Sequence, residues 1–508
     1  MSQRVTEPRF TRRGLFKTGA AAAIAPALLS GCHSPVNPQH ILVGVTSRPR
    51  MLDPRRATDA LSSRVNRLLY HQLIDFNEAS EPIPDLADWQ MLSAKHYRFT
   101  LKKQAQFHHA KPLVAEDVVA TYRSVLDKDF GSPHRGTLSH IKTITAINST
   151  QVDFILDKDD ALFVGRLTLG ILPADRVEKD HNFAAEPIGS GAAQFVSLNE
   201  QRLILRRKDQ VELHFIVVKD PMVRVLKLQK GELDCVQNDL SPELVNYCST
   251  QTALKVTWQK GTSYAYIGFN LDDPWLAQPE LRQAIAQGLN RQQVIDAMFQ
   301  GQARLAGGLL PPEHWAGHPD LSGWDYNPDK ASELISQLAR PSGQKHQPIR
   351  LSFKTSSDPT RIRLATLYQA QLKPLGIDLQ VQSYDWGTFY NDIVQGRFQL
   401  FSLAWVGIKS PDIFQYVFAS DAIPPKGANR GRYRDSKADD LIKQAGQTQD
   451  LAEQARLYRT LQAHLQASLP IMPLWFENQY AVMRRNLSGY QLFADGRLDS
   501  LLSVVKKV

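Results

Sequence analysis

The segment formed by residues 264–312 constrains the fold most strongly, because it combines several element signals in a short length. It opens with an apolar run, 264–270, of the length typical of one buried strand. A turn containing Pro274 follows, and apolar residues at helical spacing then predict a first helix. Asn290 is expected to cap a second helix, which ends near Gly301. A strand followed by two helices indicates the start of a new lobe.

A second unit further along the chain has the pattern of two parallel strands joined by a helix. Residues 350–354 and 377–381 are the predicted strands, and residues 359–373 carry apolar side chains at helical spacing. Parallel strands need such a crossover connection, so the pattern predicts an α/β fold. The length of 508 residues indicates two or three domains, and an apolar content of 43% is ordinary for a chain that buries real cores.

The first 31 residues have the features of an export leader. A pair of arginines at 12–13 precedes an apolar stretch, 19–29, and small residues lead to Cys32. This order is typical of a cleaved signal rather than of a spanning helix. The arginine pair resembles a twin-arginine signal. Leu29-Ser30-Gly31-Cys32 resembles a bacterial lipobox, which implies that Cys32 becomes a lipidated N-terminus. The alternative is an ordinary signal with a chance cysteine.

Charge and cysteine content limit the other classes of function. The formal net charge is +9, of which the predicted leader carries +4, so the rest of the chain carries 9 − 4 = +5. That charge is mild for this length and forms no basic block, so we expect no nucleic-acid partner. No internal apolar run has the length of a transmembrane helix. With Cys32 assigned to lipid, Cys235 and Cys248 remain. Their spacing permits a disulfide in an oxidising compartment, and the sequence leaves open whether they pair.

The sequence lacks the motifs of common enzymes and metal sites. It contains no His-Glu-x-x-His pair, no phosphate loop and no Gly-x-Ser-x-Gly elbow. The neighbouring His108 and His109 would point to opposite faces of a strand, which disfavours them as a metal pair. We therefore expect no catalytic residue, no cofactor and no metal ligand.

Aromatic residues cluster around the predicted lobe boundaries. Trp405 ends a predicted buried strand and is followed by a polar turn, and strand ends of this kind are where open α/β sheets place ligands. Rings offer a large contact area, which suits a ligand cleft, whereas core packing is the alternative for each ring. Tyr264 and Tyr266 alternate along one strand and should share one face. The aromatic candidates for solute binding are Tyr264, Tyr266, Trp386 and Trp405.

Several ordered motifs resemble those of a known family. They are Leu52-Asp53-Pro54, Phe107-His108 with Ala115-Glu116-Asp117-Val118, Pro187-Ile188-Gly189-Ser190-Gly191, Gly231-Glu232-Leu233-Asp234, and Trp405 with Leu469-Pro470. Together they extend over most of the chain. On these motifs the chain resembles the extracytoplasmic solute-binding proteins of ABC importers, in the peptide/nickel class known as solute-binding family 5.

The resemblance implies an α/β, two-lobed fold like that of periplasmic binding proteins, with an extra subdomain inserted in the first lobe. Two crossover strands, near 264–270 and 476–480, would form a hinge, and closure would bury a solute for delivery to a membrane permease and its ATPase. The implied divisions are a signal peptide (1–31), a tether (32–39), lobe I (40–66, 183–263 and 478–508), its inserted subdomain (67–182) and lobe II (264–477).

One departure from the family pattern bears on the solute. In many peptide binders of this family an Asp shortly after the Trp holds the amino group of the peptide, whereas here no acid precedes Asp412. Either Asp412 takes that role or the solute lacks a free amino terminus, because a buried ammonium without a partner is costly. Arg135, Asn429 and Arg430 are candidates for contacts with a solute carboxylate. Gly407 and Asn270 complete the expected site.

Three functions are consistent with the sequence. The leading hypothesis is a lipid-anchored periplasmic monomer, exported by a twin-arginine-like signal, that binds a short peptide or peptide-like solute for an ABC importer. The alternative is a binder of a metal chelate, haem or another small solute, which the missing acid favours. A periplasmic hydrolase or sensory module is a remote third hypothesis, because no nucleophile and base stand out as a pair.

Overall fold

A computed structural model describes residues 38–102, 105–339 and 347–507. The predicted signal peptide, Cys32 and most of the predicted tether lie outside the described residues. Within the described ranges, the helices are all too short or too polar to cross a membrane.

Between residues 212 and 405, strands alternate with single helices or pairs of helices, whereas runs of strands or helices occur on either side. The strands are β1 (His40–Val45), β2 (Ile74–Phe76), β3 (Pro82–Pro84), β4 (Ala87–Ser93), β5 (His96–Leu101), β6 (Ile141–Asn148), β7 (Gln151–Leu156), β8 (Ala193–Leu198), β9 (Arg202–Arg207), β10 (Glu212–Val217), β11 (Cys235–Gln237), β12 (Leu254–Phe269), β13 (Ala303–Leu305), β14 (Ile349–Ser356), β15 (Ile377–Tyr384), β16 (Leu400–Trp405), β17 (Ile471–Arg484), β18 (Leu487–Ser488) and β19 (Val505–Lys506). The α-helices are α1 (Ala60–Leu69), α2 (Ala115–Leu126), α3 (Arg135–Leu138), α4 (Ala174–Val177), α5 (Pro221–Lys230), α6 (Pro242–Ser249), α7 (Pro279–Gly288), α8 (Arg291–Phe299), α9 (Pro328–Ser336), α10 (Pro359–Leu372), α11 (Trp386–Gln395), α12 (Ile413–Phe418), α13 (Ser436–Gln447) and α14 (Leu451–Ser468).

Most strands join one mixed sheet in the order β15-β14-β16-β12-β17-β11-β1-β10-β9-β8, with β13 also bonded to β17. The predicted strand–helix–strand unit is confirmed, because β14 and β15 pair in parallel and α10 connects them. The predicted cap of α8 is also confirmed: the side chain of Asn290 accepts a hydrogen bond of 2.9 Å from the backbone N of Gln293. Such a bond satisfies one of the free N–H groups at a helix start.

The long strands β12 and β17 lie next to each other within this sheet. They join its two halves, which are β15-β14-β16 on one side and β11-β1-β10-β9-β8 on the other. They pair antiparallel from Leu254 opposite Arg484 to Gly268 opposite Ile471, and both predicted crossover segments lie within them. The register shifts between Gln259 and Ser263, so β12 bulges there. Gly261 sits in the bulge, where a Cβ would lie 2.0 Å from the carbonyl oxygen of Glu477. Only glycine allows the two backbones to approach so closely.

A separate four-stranded sheet, β4-β5-β7-β6, packs against α2. Its core contains Phe99, Tyr122 and Phe154, and the ring of Phe154 contacts the other two edge to face with centroids 5.4 and 5.5 Å apart. The buried residues of this core all come from between Leu73 and Ile171. A self-contained core of this kind is what an inserted subdomain needs in order to fold. The exact lobe boundaries stay a prediction.

Cys235 and Cys248 are both free and buried, so they do not form the disulfide that the sequence left open. The reason is the alternation of β11. Cys235 packs into the core that contains Ile41 and Phe215, whereas its neighbour Val236 packs with Cys248 in another core. Successive side chains of a strand point to opposite faces, so the sheet separates the two thiols. Burial raises the pKa of the Cys248 thiol to about 11.

The bulge yields a first testable prediction. Replacing Gly261→Ala should destabilise the protein by about 1–3 kcal/mol, because the new methyl group would overlap the backbone of β17. Gly136→Ala is the matched control, since a Cβ there meets no described atom within 4 Å. The measurement is the urea concentration at the unfolding midpoint. Equal midpoints for the two variants would contradict the close approach.

Candidate functional site

A cavity of about 350 Å³ lies beside the bulge of β12. The bulge residue Thr262 donates to the carbonyl oxygen of Ala494 from both its backbone N (3.1 Å) and its Oγ1 (3.3 Å). These bonds hold the C-terminal segment 490–497 against the strand. The wall is drawn from five separate parts of the chain: Asn77, Glu78 and Ser80; Thr257, Trp258, Gln259, Lys260 and Thr262; Arg304, Pro311, Glu313 and His314; Ile408 and Lys409; and Tyr490, Gln491, Leu492, Phe493, Ala494, Asp495 and Arg497.

An ion pair spans this cavity wall. The ammonium of Lys409, after β16, lies 2.6 Å from the carboxylate of Asp495 in the C-terminal segment. Burial raises the pKa of Asp495, but the charges of Lys409 and Arg497 outweigh burial and hold that pKa below its ordinary value. Asp495 therefore remains ionised at neutral pH. The pair joins parts of the chain that the predicted division assigns to different lobes.

Two arginine side chains of the cavity wall, Arg304 and Arg497, each keep one nitrogen without a hydrogen bond to the described part of the chain. Arg304 pairs through Nη1 with Glu313 at 2.5 Å and donates through Nη2 to the carbonyl of Gly261 at 3.1 Å. Its Nε and the Nε of Arg497 are buried and find no hydrogen-bond partner among the described residues. Buried polar groups are normally satisfied. Arg497 Nε still lies 3.9 Å from both Asp495 Oδ1 and Asp499 Oδ2, so its charge is balanced although it makes no hydrogen bond within the described ranges.

His314 is a structural residue of this wall. Its Nε2 lies 3.0 Å from the carbonyl oxygen of Lys409, and its Nδ1 accepts from the backbone N of Ala316 at 3.0 Å. Burial lowers the pKa of His314 to about 4, so the ring is neutral at ordinary pH and donates from Nε2. With both nitrogens occupied, the ring positions the Lys409 turn.

The aromatic candidates come together in a cluster around Arg430, which we call the arginine–aromatic cluster. Tyr264 and Tyr266 do share one face, and their rings stack 5.9 Å apart. Arg430 Nη1 donates to the hydroxyl of Tyr266 at 2.8 Å, and its guanidinium carbon lies 4.8 Å from the ring centroid of Trp405. The same guanidinium lies 5.6 Å from the ring of Tyr390. A cation over ring faces is stabilised by their quadrupoles.

The exposed edge of the arginine–aromatic cluster is formed by Trp386, which stacks on Tyr390 with centroids 5.6 Å apart and is 59% exposed. Tyr264 and Tyr266 are buried beneath it. Gly407, with φ of +71°, links Trp405 to the cavity residues Ile408 and Lys409. The cluster and the cavity are thus joined by one short turn, although the cavity wall itself includes no member of the cluster.

Asp412 does not line the cavity; it pairs with the guanidinium of Arg166. Arg166 also donates from Nε to Asp160 at 2.8 Å, so this arginine joins the region before Ile171 to the start of α12. A carboxylate already paired with arginine is poorly placed to receive a solute ammonium. Of the two sequence alternatives, substitution by Asp412 finds no support in this geometry.

Three other candidates are tied to neighbouring loops. Asn429 is 2% exposed; its Nδ2 donates to the carbonyls of Ala419 and Tyr433, and its Oδ1 accepts from the N of Tyr433. Asn270 donates to the carbonyl of Phe398 at 2.8 Å. Arg135 donates to the carbonyl of Leu126 at 3.0 Å, within the region of the smaller sheet. The geometry gives these residues a role in loop architecture rather than on the cavity wall.

The sequence interpretation missed the charged residues of the cavity wall, which are Glu78, Lys260, Arg304, Glu313, Lys409, Asp495 and Arg497. Lys409 lies in the polar turn after Trp405, which was the one local signal. Asp495 and Arg497 lie in a tail without recognisable periodicity.

Comparison with known proteins identifies the family of this chain. The model of the family "Bacterial extracellular solute-binding proteins, family 5 Middle" matches residues 81–424, which is more than half of the chain. The dipeptide-binding protein of Pseudomonas aeruginosa is 26% identical over 491 residues, which cover 87% of this chain and 91% of that protein.

Solved structures share the fold. The ABC transporter substrate binding protein CtaP of Listeria monocytogenes has a TM-score of 0.82 at 23% identity, covering 92% of this chain and 99% of that one. NikZ from Campylobacter jejuni, in complex with Ni(L-His), has a TM-score of 0.80 at 21% identity, covering 93% and 100%. The predicted α/β, two-lobed fold is thereby confirmed. The chain belongs to the bacterial extracellular solute-binding proteins of family 5, which are transport binding proteins and not enzymes.

Proposed function

We propose that this protein captures a short peptide or peptide-like solute between two lobes and delivers it to the permease and ATPase of an ABC importer. The observation that carries the proposal is the cavity, whose wall combines segments assigned to both predicted lobes and bears the Lys409–Asp495 ion pair. A ligand that contacts both sides favours the closed arrangement, which is how hinge proteins couple binding to closure.

The two charges of a peptide can exchange with this ion pair. The solute ammonium would take the place of Lys409 beside Asp495, and Lys409 would turn to the solute carboxylate. The buried Nε groups of Arg304 and Arg497 offer further donors to carboxylate or carbonyl oxygens. Asp495 thus supplies the amine-binding acid that the stretch between Trp405 and Asp412 lacks. The exchange leaves no charge unpaired, which matters because unpaired buried charges are costly.

The arginine–aromatic cluster would contact the apolar parts of the solute. Trp386 and Tyr390 present partly exposed rings, at 59% and 39%, and Trp405 lies half-buried between them and the cavity turn. Ring faces bind varied side chains and peptide planes with little loss of conformational entropy. Tyr264, Tyr266 and Arg430 would support these rings from below.

The lobes proposed to close on the solute keep the predicted divisions. Lobe I would combine 40–66, 183–263 and 478–508 with the inserted subdomain 67–182, and lobe II would be 264–477. The bulge at Gly261 is the proposed hinge, since the backbone pairing of β12 with β17 is interrupted there. We propose that the protein acts as a monomer, with no nucleic-acid partner.

A lipid anchor is proposed for the N-terminus. Residues 1–31 would be removed as a signal peptide, with twin-arginine export as the proposed route, and Cys32 would carry the lipid. The support is the order of arginine pair, apolar stretch and lipobox in the sequence. Residues 32–39 would then tether the folded body to the membrane.

A chelated metal or haem is the competing class of solute. NikZ, of the same fold, is known in complex with Ni(L-His). In such a chelate the amino nitrogen binds the metal as a neutral amine, so a solute of this class would bring no ammonium to Asp495. Native mass spectrometry of the protein isolated from its host separates the classes by the mass of the retained ligand. A peptide mass supports the proposal, and a metal-bearing mass supports its competitor.

Asp495→Asn should weaken binding of di- and tripeptides at least about tenfold, because it removes a charge-assisted contact worth about 1.5–3 kcal/mol. N-acetylated peptides, which lack the ammonium, should lose much less. Isothermal titration of wild type and variant with both peptide series is the measurement. Asp320→Asn, which changes an exposed acid outside the cavity, is the matched control. Equal losses for both series would refute the role of Asp495, and no heat from any peptide with wild type would refute the peptide assignment.

Peptide affinity should stay constant between about pH 5 and 7.5. The depressed pKa of Asp495 keeps its carboxylate charged over that range, and His314, with a pKa of about 4, keeps its neutral ring. Affinity should fall at low pH as the pH drops through those lower pKa values, and it should fall again at high pH as the α-amino group of the solute loses its proton at about pH 7.7–8.0. Titrations at successive pH values in one buffer series check this. A loss of affinity centred near about pH 6.5 would instead mean that a histidine titrates with the solute.

Cys32→Ser should release the exported protein from the membrane fraction, because the site of lipid attachment is lost. Peptide binding by the released protein should be unchanged. The measurement is the distribution between membrane and soluble fractions of the host cell. Cys248→Ala is the control and should stay with the membrane. Retention of the Cys32 variant at wild-type level would contradict the anchor.

A further inference from the structure

Three side chains that can bind a metal converge where the first strand meets β10. His40 begins β1 and lies opposite Glu212 in the parallel register, with His214 two residues further along. Alternate residues of a strand share a face, so Glu212 and His214 point the same way. The ring of His40 stacks on that of His214 with centroids 4.6 Å apart.

The distances suit a small divalent cation. His214 Nε2 lies 2.9 Å from Glu212 Oε2, and His40 Nε2 lies 3.6 Å from the same oxygen. One ligand atom from each of the three residues falls within 4.8 Å of the others. In a tetrahedral zinc site with bonds of about 2.0–2.1 Å, ligand atoms are about 3.3 Å apart. Small side-chain adjustments would bring these atoms to that spacing.

Neighbouring arginines set the orientation of the group. Arg206 Nη2 donates to Glu212 Oε1 at 2.8 Å, which leaves Oε2 facing the imidazoles, as an outer hydrogen bond does for a metal-binding carboxylate. Arg202 Nη1 lies 3.4 Å from His214 Nδ1. Because a ring that binds metal through Nε2 carries its proton on Nδ1, Arg202 must turn away on binding, and its exposed side chain is free to do so.

We propose that His40, Glu212 and His214 form a binding site for Zn²⁺ or a similar divalent transition-metal ion, with water as the fourth ligand. Two imidazoles and one carboxylate are a ligand set that zinc accepts, and three protein ligands leave one position open. His40 and Glu212 have side-chain exposures of 38% and 21%, which gives the ion a path of entry. These residues do not line the cavity, so the site is independent of the proposed function.

The bound ion would fasten the start of the folded body to the sheet. His40 is the first residue of β1, and its carbonyl oxygen accepts from Lys506 Nζ at 3.2 Å. A metal bridge between β1 and β10 would restrain this strand, which follows the predicted tether. Local sequence patterns do not reveal the site, because His40 lies more than 170 residues before Glu212 and His214 in the chain.

The test is a zinc titration of the full-length protein, purified in detergent without a histidine tag and stripped with a chelator. We expect one site per chain, measured by competition with a chromophoric chelator. His40→Gln and Glu212→Gln, at the partly exposed positions, should each weaken zinc binding at least about tenfold. His109→Gln, which changes an exposed histidine elsewhere, is the matched control and should bind as wild type. Substituted Co²⁺ should give visible absorption bands that both cluster variants lose.

Two results would overturn the site. One is the absence of zinc binding at micromolar concentration; the other is zinc affinity that survives both cluster substitutions, or that falls instead in His109→Gln. Melting of each variant in the presence of chelator shows whether it folds. Peptide titrations run in parallel should be unaffected by His40→Gln, so failure of the metal site and failure of the proposed transport role remain distinguishable.

Discussion

The pairing of β12 with β17 is the interaction on which the rest of the structure depends. These strands run 16 and 14 residues, and each contributes to both halves of the main sheet. Their backbone hydrogen bonds make the halves parts of one surface rather than two bodies on a flexible linker. The single large register shift, at Gly261, therefore decides where the sheet can bend. The cavity wall includes residues of this bulge, so bending there changes the distance across the cavity.

Buried arginines hold the loops that surround this strand pair. Arg291 donates to the carbonyl oxygens of Ala306 (2.7 Å) and Pro473 (3.1 Å). It thus connects the loop after β13 to β17. Arg282 likewise donates to the carbonyl oxygens of Leu276 and Leu469, and so connects the loop before α7 to the end of α14. Burial lowers the pKa of Arg291 to about 10, which still leaves it charged at neutral pH. Guanidinium groups have five donors in a fixed plane, so one side chain can satisfy carbonyls from several loops.

Sequence patterns captured the local structure and much of the fold. The Asn290 cap, the β14–α10–β15 unit and the shared face of Tyr264 and Tyr266 all follow from periodicity or helix chemistry, which depend on neighbours in the chain. The ring cluster was also foreseeable in part, because strand ends concentrate ligand contacts. The partner of its rings, Arg430, and the commitment of Asn429 to its own loop depend on the fold instead.

The cavity charges were beyond the reach of sequence patterns for a physical reason. Lys409 and Asp495 meet because the C-terminal segment hydrogen-bonds to the bulge of β12, and no local spacing encodes such a tertiary contact. The same holds for Arg166 and Asp412, which come from the region of the smaller sheet and from α12. The cysteines give a further example. Cys235 and Cys248 are close in sequence, but they remain free because the sheet lies between their thiols.

In the proposed binding mode, the Lys409–Asp495 pair would make the protein select its solute by penalty as well as by attraction. A zwitterion that enters between the two side chains replaces one ion pair with two and leaves every charge matched. A solute with a single charge would separate the pair and pair with only one of the two side chains. The other side chain would then be left as an unpaired charge in a half-buried wall. The protein would then select against such molecules through the free-energy cost of its own unpaired charge. This form of specificity needs no repulsive contact with the rejected compound.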